Sequence, residues 1–534
     1  MQRRSGSLRL WSGAVVGLSL VAAACGGSSG GDGESSTGNT IDKSINQALN
    51  ATTVAGATAT TTAKVEPKSM DEWEKLWATE RAAVVKRIKD NKWGLQADGK
   101  TITGPEGFKI DLSKCASGWS NTEGLTDTSF KVGQSIALSG TLADYGNYGK
   151  SIDTLLGYYS DKGLFKDSTG KTRKANYIQK DDGYDATRAI PNVDELLDSE
   201  KVFAVWTLGT PATMKTYDKI NQRCVPQIMS MTGHPAWGDP INHPWTSGAP
   251  VPSYTTETQL WGTFIEQRLS EFPNGVKVAA LVMNNDFGKV YDATFRQFLK
   301  ASPNGSKIEY FSETIEPAAV TVTNEMTTIT AKKPDIFLMM LAGTACAQTV
   351  VEASQNGLKD SAKYLFIGQP CGNNATMGKE KVGGDGSASN GWWLVGGGAR
   401  DMTDPGQAEL PFVKFMANLL KAKGIEPKSS GNLNSGTFFA FPLVQSLILA
   451  GQLDGGLTRS NFMLAQRMLN FTNPFVFEGV KLTTNGVKDA FPIEGGVYQQ
   501  YSTAKQAFER KSDIIDLDGT SKPCAWSQTS ATCT

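Results

Sequence analysis

From Phe130 to Val395, short runs rich in β-branched and aromatic residues alternate with stretches of helical periodicity, and few folds are open to such a chain. Strands are predicted at Phe130–Ala137, Asn176–Gln179, Val202–Thr207, Pro226–Ser230, Lys277–Met283, Lys307–Phe311, Asp335–Leu341, Tyr364–Gly368 and Trp392–Val395. Helical patterns fill most of the gaps, for example Asp185–Leu197, Tyr291–Lys300 and Ala347–Asn356. Such alternation signals α/β architecture, parallel sheets with helices on both faces. About 470 residues follow an N-terminal segment of different character, too many for one core and suited to two lobes.

In open parallel sheets a ligand sits beyond the carboxyl ends of the strands. Three of the turns there are Leu138-Ser139-Gly140-Thr141-Leu142-Ala143-Asp144-Tyr145-Gly146, Leu208-Gly209-Thr210-Pro211-Ala212-Thr213 and Met231-Thr232-Gly233-His234. Gly and small hydroxyl residues at a strand-to-helix junction expose backbone N–H groups at a helix N-terminus, which favours a carboxylate or similar anion. Singly, each turn reads as ordinary Ser/Thr capping; three at one edge point to a pocket. His234 is either a pH-sensitive contact beside the third turn or a capping or surface residue. Trp237, Trp245, Trp392 and Trp393 either line the cleft or pack in the core.

Composition removes several alternatives. The chain has 53 basic and 53 acidic residues and no basic stripe, which argues against nucleic acid. With two histidines, His234 and His243, and no C-x-x-C pair, no metal site of the zinc type is expected, and no cofactor. No G-x-S-x-G sits at a strand-to-helix junction, and Gly396-Gly397-Gly398 lacks the dinucleotide-binding spacing. An enzyme is therefore not expected. Downstream of the N-terminal segment no stretch reaches 18 apolar residues; the nearest, Ile336 to Val351, is interrupted by Thr344 and Gln348.

The first 24 residues have the layout of a lipoprotein signal peptide. Arg3, Arg4 and Arg9 hold the start at the cytoplasmic face, Leu10 to Ala24 form a short apolar region, and Ala22-Ala23-Ala24 leads into Cys25-Gly26-Gly27. Cys25 is the lipidation candidate, and two or more acyl chains would hold the protein to the outer face of the bacterial cytoplasmic membrane. Ala22 stands where Leu or Val is commoner, so an ordinary cleaved secretory signal is the alternative. Residues 25–64 are Gly, Ser, Thr, Asn and Ala with few large apolar groups, a composition that reads as a disordered tether. Next, Ser69 with Glu72 makes a capping box, and Trp73, Leu76, Trp77, Val84 and Ile88 share one helical face that is expected to dock on the main body.

Six cysteines remain, an even number suited to an oxidising compartment, and sequence alone permits 15 pairings. Cys524 and Cys533 are close enough to close a local loop. Cys346 and Cys371 each follow an apolar run, so parallel neighbouring strands would bring them together. Cys115 and Cys224 pair by elimination.

Several segments then resemble a known family in order and spacing: Phe130-Lys131-Val132-Gly133 with Leu138-Ser139-Gly140 and Tyr145-Gly146; Asp181-Asp182 with Asp185; Val225-Pro226-Gln227-Ile228; Asn285-Asp286-Phe287-Gly288; Asp335-Ile336-Phe337-Leu338; and Gly368-Gln369-Pro370 with Gly372-Asn373. Over roughly residues 128 to 505 the chain resembles the leucine/isoleucine/valine-binding proteins, type I periplasmic solute-binding proteins of ABC importers. The resemblance implies two doubly wound parallel-sheet lobes joined by three crossovers, with the ligand cleft between them. Lobe 1 would take 128–250 and 398–480, lobe 2 251–397 and 481–510, flanked by an N-terminal helical extension over 65–127 and a C-terminal tail over 511–534. It also implies a monomer that closes on a small solute by hinge bending and presents it to an ABC permease. A sensor signalling to a membrane receptor is the alternative output.

Carried over by position, the resemblance implies a hydroxyl on the solute carboxylate at Thr210, which a one-residue shift would exchange with Pro211. Further hydrogen bonds would come from Thr232 and Gly233, an aromatic cleft wall from Tyr145, and an aromatic face from Phe287. Two positions depart from the family: Pro370 stands where amino-acid binders place an acid for the solute ammonium, and Ala342 where they often place tyrosine. Either Asp286 or Gln369 substitutes for the acid, or the solute lacks an α-amino group. Branched-chain amino acids thus stand beside other small carboxylates, amides and aromatic acids.

Overall fold

A computed structural model describes residues 66–533. The signal peptide, Cys25 and the tether expected over 1–64 lie outside the described residues.

Two sheets organise the chain. The first has the order Lys174–Asp181, Ser129–Ile136, Ala204–Thr207, all parallel, with Val132 opposite Tyr177 on one side and Ala204 on the other. The segment Pro226–Ser230, expected as a strand, makes only isolated bridges, Val205 with Gln227 and Gln227 with Thr246. Pro226 has no N–H to donate, and Met229 turns the chain with φ 46°, so a continuous ladder cannot run through it.

The second sheet has seven strands in the order Ala507–Arg510, Val497–Ser502, Trp393–Gly396, Tyr364–Ile367, Ile336–Met340, Val276–Met283, Ile308–Ile315. Its last five are parallel; of the two supplied by the chain's late segment, Val497–Ser502 pairs antiparallel with Trp393–Gly396 and Ala507–Arg510 antiparallel with Val497–Ser502. The strand expected at Lys307–Phe311 extends to Ile315 because it stays in register with Val276–Met283 throughout. Helices expected at Tyr291–Lys300 and Ala347–Asn356 begin earlier, at Asp286 and Thr344, where Asn285 caps the first through the Phe287 and Gly288 amides. That expected over Asp185–Leu197 runs Ala186–Asp194 and continues as a wider π turn over Glu195–Ser199.

Helix Gly431–Gln452 is long and apolar enough to cross a membrane, yet 94% of its most apolar window is buried within the fold. It is a core helix, packed along Gly146–Asp161, where the Ser151 hydroxyl donates to the Leu433 carbonyl at 2.7 Å.

The extension over 65–127 is helical only in part. Helix Met70–Asp90 starts where the cap predicts, with Ser69 Oγ accepting from the Glu72 amide, but Glu72 reaches back to the Lys68 amide instead of closing the box on Ser69. Trp73, Trp77, Val84 and Ile88 are buried and Leu76 is half-buried. The helix docks as expected: Trp77 Nε1 donates to the Thr472 carbonyl at 3.0 Å, and buried Arg81 donates to Gln445. A three-stranded antiparallel sheet follows, Gly94–Leu95, Thr101–Thr103 and Lys109–Asp111, which the helical expectation omitted. Its strands are two or three residues long, too short for a period-2 pattern to register. The three disulfides are Cys115–Cys224, Cys346–Cys371 and Cys524–Cys533.

Candidate functional site

The carboxyl ends of both parallel sheets face one cleft, which leaves about 1190 Å³ of space, part of it open to solvent. From the first sheet come Tyr145 and Tyr148, then Tyr184, Gly209, and the turn Met231-Thr232-Gly233. From the second come Phe287, Ala342, and Gln369 with Pro370, each just beyond a strand end. The floor is the stretch after Trp393–Gly396, including Asp401 and Asp404, with Asn434, Ser435 and Phe439 from the core helix.

Backbone geometry sets the walls. Gly209 has φ 90°, and a Cβ there would lie 2.5 Å from the Tyr184 ring. A Cβ on Gly233 would lie 2.6 Å from the Tyr254 ring. Both positions thus admit a tyrosine where a side chain would block it. The rings interlock: Tyr145 meets Tyr148 edge-on at 5.7 Å, and Tyr254 meets Phe287 edge-on at 5.5 Å. Burial pushes Tyr148 and Tyr254 up to about 12, so these hydroxyls remain neutral and able to donate.

Seven of the nine expected ligand residues line the cleft: Tyr145, Thr232, Gly233, Phe287, Ala342, Gln369 and Pro370. Thr210 and Pro211 lie behind it, fully covered, because the Gly209 turn presents Gly209 instead. Thr210 is linked to the cleft indirectly: its hydroxyl meets Thr232 Oγ1 at 2.5 Å, and Thr232 Oγ1 meets the Tyr254 hydroxyl at 3.1 Å. Asp286 does not line the cleft. Gln369 does, but its side-chain amide donates to Glu257 at 3.0 Å and to the Pro252 carbonyl at 3.3 Å. His234 is buried, and burial drives it down to about 3; its Nδ1 accepts from the Ala236 amide as a cap. Trp237, Trp245 and Trp392 are buried, Trp393 is half-buried against the core, and none of the four lines the cleft.

Sequence reasoning missed two acids. Asp401 lines the cleft and accepts from the Thr403 amide at 2.8 Å, the Thr403 hydroxyl at 2.7 Å and the Asn374 amide at 3.2 Å. Burial raises its pKa, and among the described residues no ion pair neutralises it. Glu257, wholly buried in helix Tyr254–Glu266, lies behind the wall and holds Gln369 through both the backbone and side-chain amides. Neither has a local signature: Asp401 sits in an irregular crossover, and Glu257 looks like any acid in a first helical turn. Among the described residues the lining contains Asp401 and Asp404 and no Lys, Arg or His.

Two doubly wound sheets with their carboxyl edges around one cleft define a two-lobed solute-binding protein. Residues 129–406 match the periplasmic binding protein family, and the chain belongs to that family, which is one of binding proteins and not of enzymes. Solved structures agree in fold. A branched chain amino acid ABC transporter protein from Thermus thermophilus with bound valine aligns over 72% of this chain and 96% of its own, with TM-score 0.60 and 16% identity. A fatty acid ABC transporter substrate-binding protein from Thermomonospora curvata covers 76% and 96%, with TM-score 0.58 and 16% identity. A solute binding protein of an ABC transporter from Rhodopseudomonas palustris HaA2, in complex with p-hydroxybenzoic acid, covers 72% and 96%, with TM-score 0.56 and 16% identity. No curated protein matches by sequence.

Proposed function

We propose that this chain is an extracytoplasmic lipoprotein, anchored through Cys25, that captures a small amine-bearing solute by closure of its two lobes and delivers it to an ABC permease as a monomer. The lobe limits proposed are those the family resemblance implies, with 128–250 and 398–480 opposed to 251–397 and 481–510. The observation that carries the solute class is the charge of the cleft: an aromatic wall, Asp401 and Asp404, and no basic side chain in the lining among the described residues.

Asp401 supplies the acid that Pro370 appeared to remove. An ammonium beside it would gain a desolvated charge partner in a cleft that Tyr145, Tyr148 and Tyr184 also line. At the other end the Thr232-Gly233 turn offers neutral donors suited to a single carboxylate. A zwitterion such as a branched-chain amino acid satisfies both ends, whereas a benzoate or a fatty acid leaves Asp401 unpaired. The test is thermal unfolding of the full chain against amino acids, amines, amides, short carboxylates and aromatic acids. A ligand at 100 times its dissociation constant adds about 2.7 kcal/mol. Amine-bearing solutes are expected to raise the midpoint, and Asp401→Asn to remove the rise. A rise with amine-free acids only, unchanged by Asp401→Asn, refutes the solute class.

A further inference from the structure

Outside the cleft, three carboxylates converge where the C-terminal tail crosses the segment after strand Leu482–Thr483. Asp489, Glu494 and Asp518 each place an oxygen within 4.8 Å of the others'. Asp489 and Glu494 are only 7% and 3% exposed. Asp489 Oδ1 has no hydrogen-bond partner, although the Phe491 amide bonds this carboxylate. A buried carboxylate oxygen without a donor is costly, and two further acids beside it make it more so.

The surrounding groups neutralise the cluster only at its edge, through Lys481 beside Asp518. Glu494 accepts from the Ser521 amide at 2.7 Å and from the Gly519 amide, and Asp518 accepts from the Thr483 hydroxyl. Lys481, half exposed, lies 2.8 Å from Asp516 and 3.4 Å from Asp518, on the outer side of the cluster. Among the described residues no ion pair reaches Asp489 or Glu494.

We propose that Asp489, Glu494 and Asp518 form a binding site for a hard divalent cation, Ca²⁺ in preference to Mg²⁺, that clamps the tail to the body. The donors are all oxygens, as Ca²⁺ requires. Three oxygens within 4.8 Å of one another can share one Ca²⁺, whose oxygen ligands stand at about 2.3–2.6 Å in a flexible shell; Mg²⁺ at about 2.1 Å demands a near-ideal octahedron that three side-chain carboxylates seldom supply. Water would complete the shell. Asp489 Oδ1, buried and without a donor, is left free to bind a cation.

The clamp has a structural reach. Gly496 and Ile515 exchange backbone hydrogen bonds beside it. Farther along, the Cys524 amide donates to the Gly238 carbonyl at 2.7 Å, and Trp526 meets His234 edge-on at 4.6 Å. The tail therefore backs the turn that carries Thr232 and Gly233. This site is independent of the solute assignment and stands or falls separately from it.

The experiment is calorimetric titration of the EDTA-treated full chain with CaCl₂ and with MgCl₂, paired with thermal unfolding at about 1 mM of each ion. Wild type is expected to bind one Ca²⁺ and melt higher with it, and Mg²⁺ to do less. Asp489→Asn should abolish the response and, by relieving repulsion, melt no lower than metal-free wild type. Asp516→Asn, a change outside the cluster, should keep the response. Glu494→Gln serves as the second cluster variant should Asp489→Asn misfold. No calcium heat in wild type overturns the proposal, as does an undiminished response in a folded cluster variant.

Discussion

Glu257 offers a test of the wall that holds Gln369. Three donors converge on this carboxylate: the Tyr291 hydroxyl at 2.5 Å, and the Gln369 backbone and side-chain amides at 3.0 Å each. Those bonds favour the charged form, yet complete burial outweighs them and lifts the group from 4.5 to about 8. Between these two values the unfolded chain has released the proton and the folded chain still holds it. An acid with a raised folded pKa therefore contributes stability that is full below the unfolded value and falls as pH rises toward the folded one. The slope is about 1.4 kcal/mol per pH unit, or about 4 kcal/mol between pH 5 and pH 8. Glu257→Gln has no proton to lose and keeps a similar shape. Its stability should match wild type near pH 5 and exceed it progressively up to pH 8, leveling above that. Urea unfolding of both proteins across this range measures the gap, and taking the difference cancels the other titrating groups. A gap that stays constant with pH, or one that turns against the variant as pH rises, would show that the three donors hold Glu257 ionised and would refute the argument from burial.

Two further outcomes follow from the packing. Trp77→Ala removes a fully buried ring that stacks on Trp73 at 5.4 Å and donates to Thr472, and should cost about 3–5 kcal/mol in urea unfolding; a cost under about 1 kcal/mol would mean that the N-terminal helix is peripheral to the core. Gly209→Ala meets both a φ of 90° and the Tyr184 ring, and should lose about 1–3 kcal/mol and weaken solute binding together. Adding Tyr184→Ala should recover only the steric part of the stability loss, leaving the backbone strain.

Much of the architecture was legible in the residues. Val276–Met283, Ile336–Met340 and Tyr364–Ile367 are apolar runs bounded by breakers, and such runs have few uses other than buried parallel strands. Ser69 marked a helix start, and the Trp73–Trp77–Val84–Ile88 face required a partner, which the structure supplies. The three Gly- and hydroxyl-rich turns marked the cleft edge, since turn chemistry is local. Cys346 and Cys371 were paired through the strands that precede them.

What the chain's local pattern could not carry is whatever depends on partners hundreds of residues away. Thr210 reads as a ligand until Gly209 turns it behind Thr232. Asp401 shows no local sign of its place in the cleft, which the irregular crossover after Trp393–Gly396 gives it. Asp489, Glu494 and Asp518 read as three ordinary acids until the tail folds back. Propensity and periodicity act over a few residues and determine the elements. The charge balance of a cleft and the burial of a carboxylate are set by which elements meet, and only the tertiary structure decides that, because desolvation and Coulomb energy depend on distance in space and not along the chain.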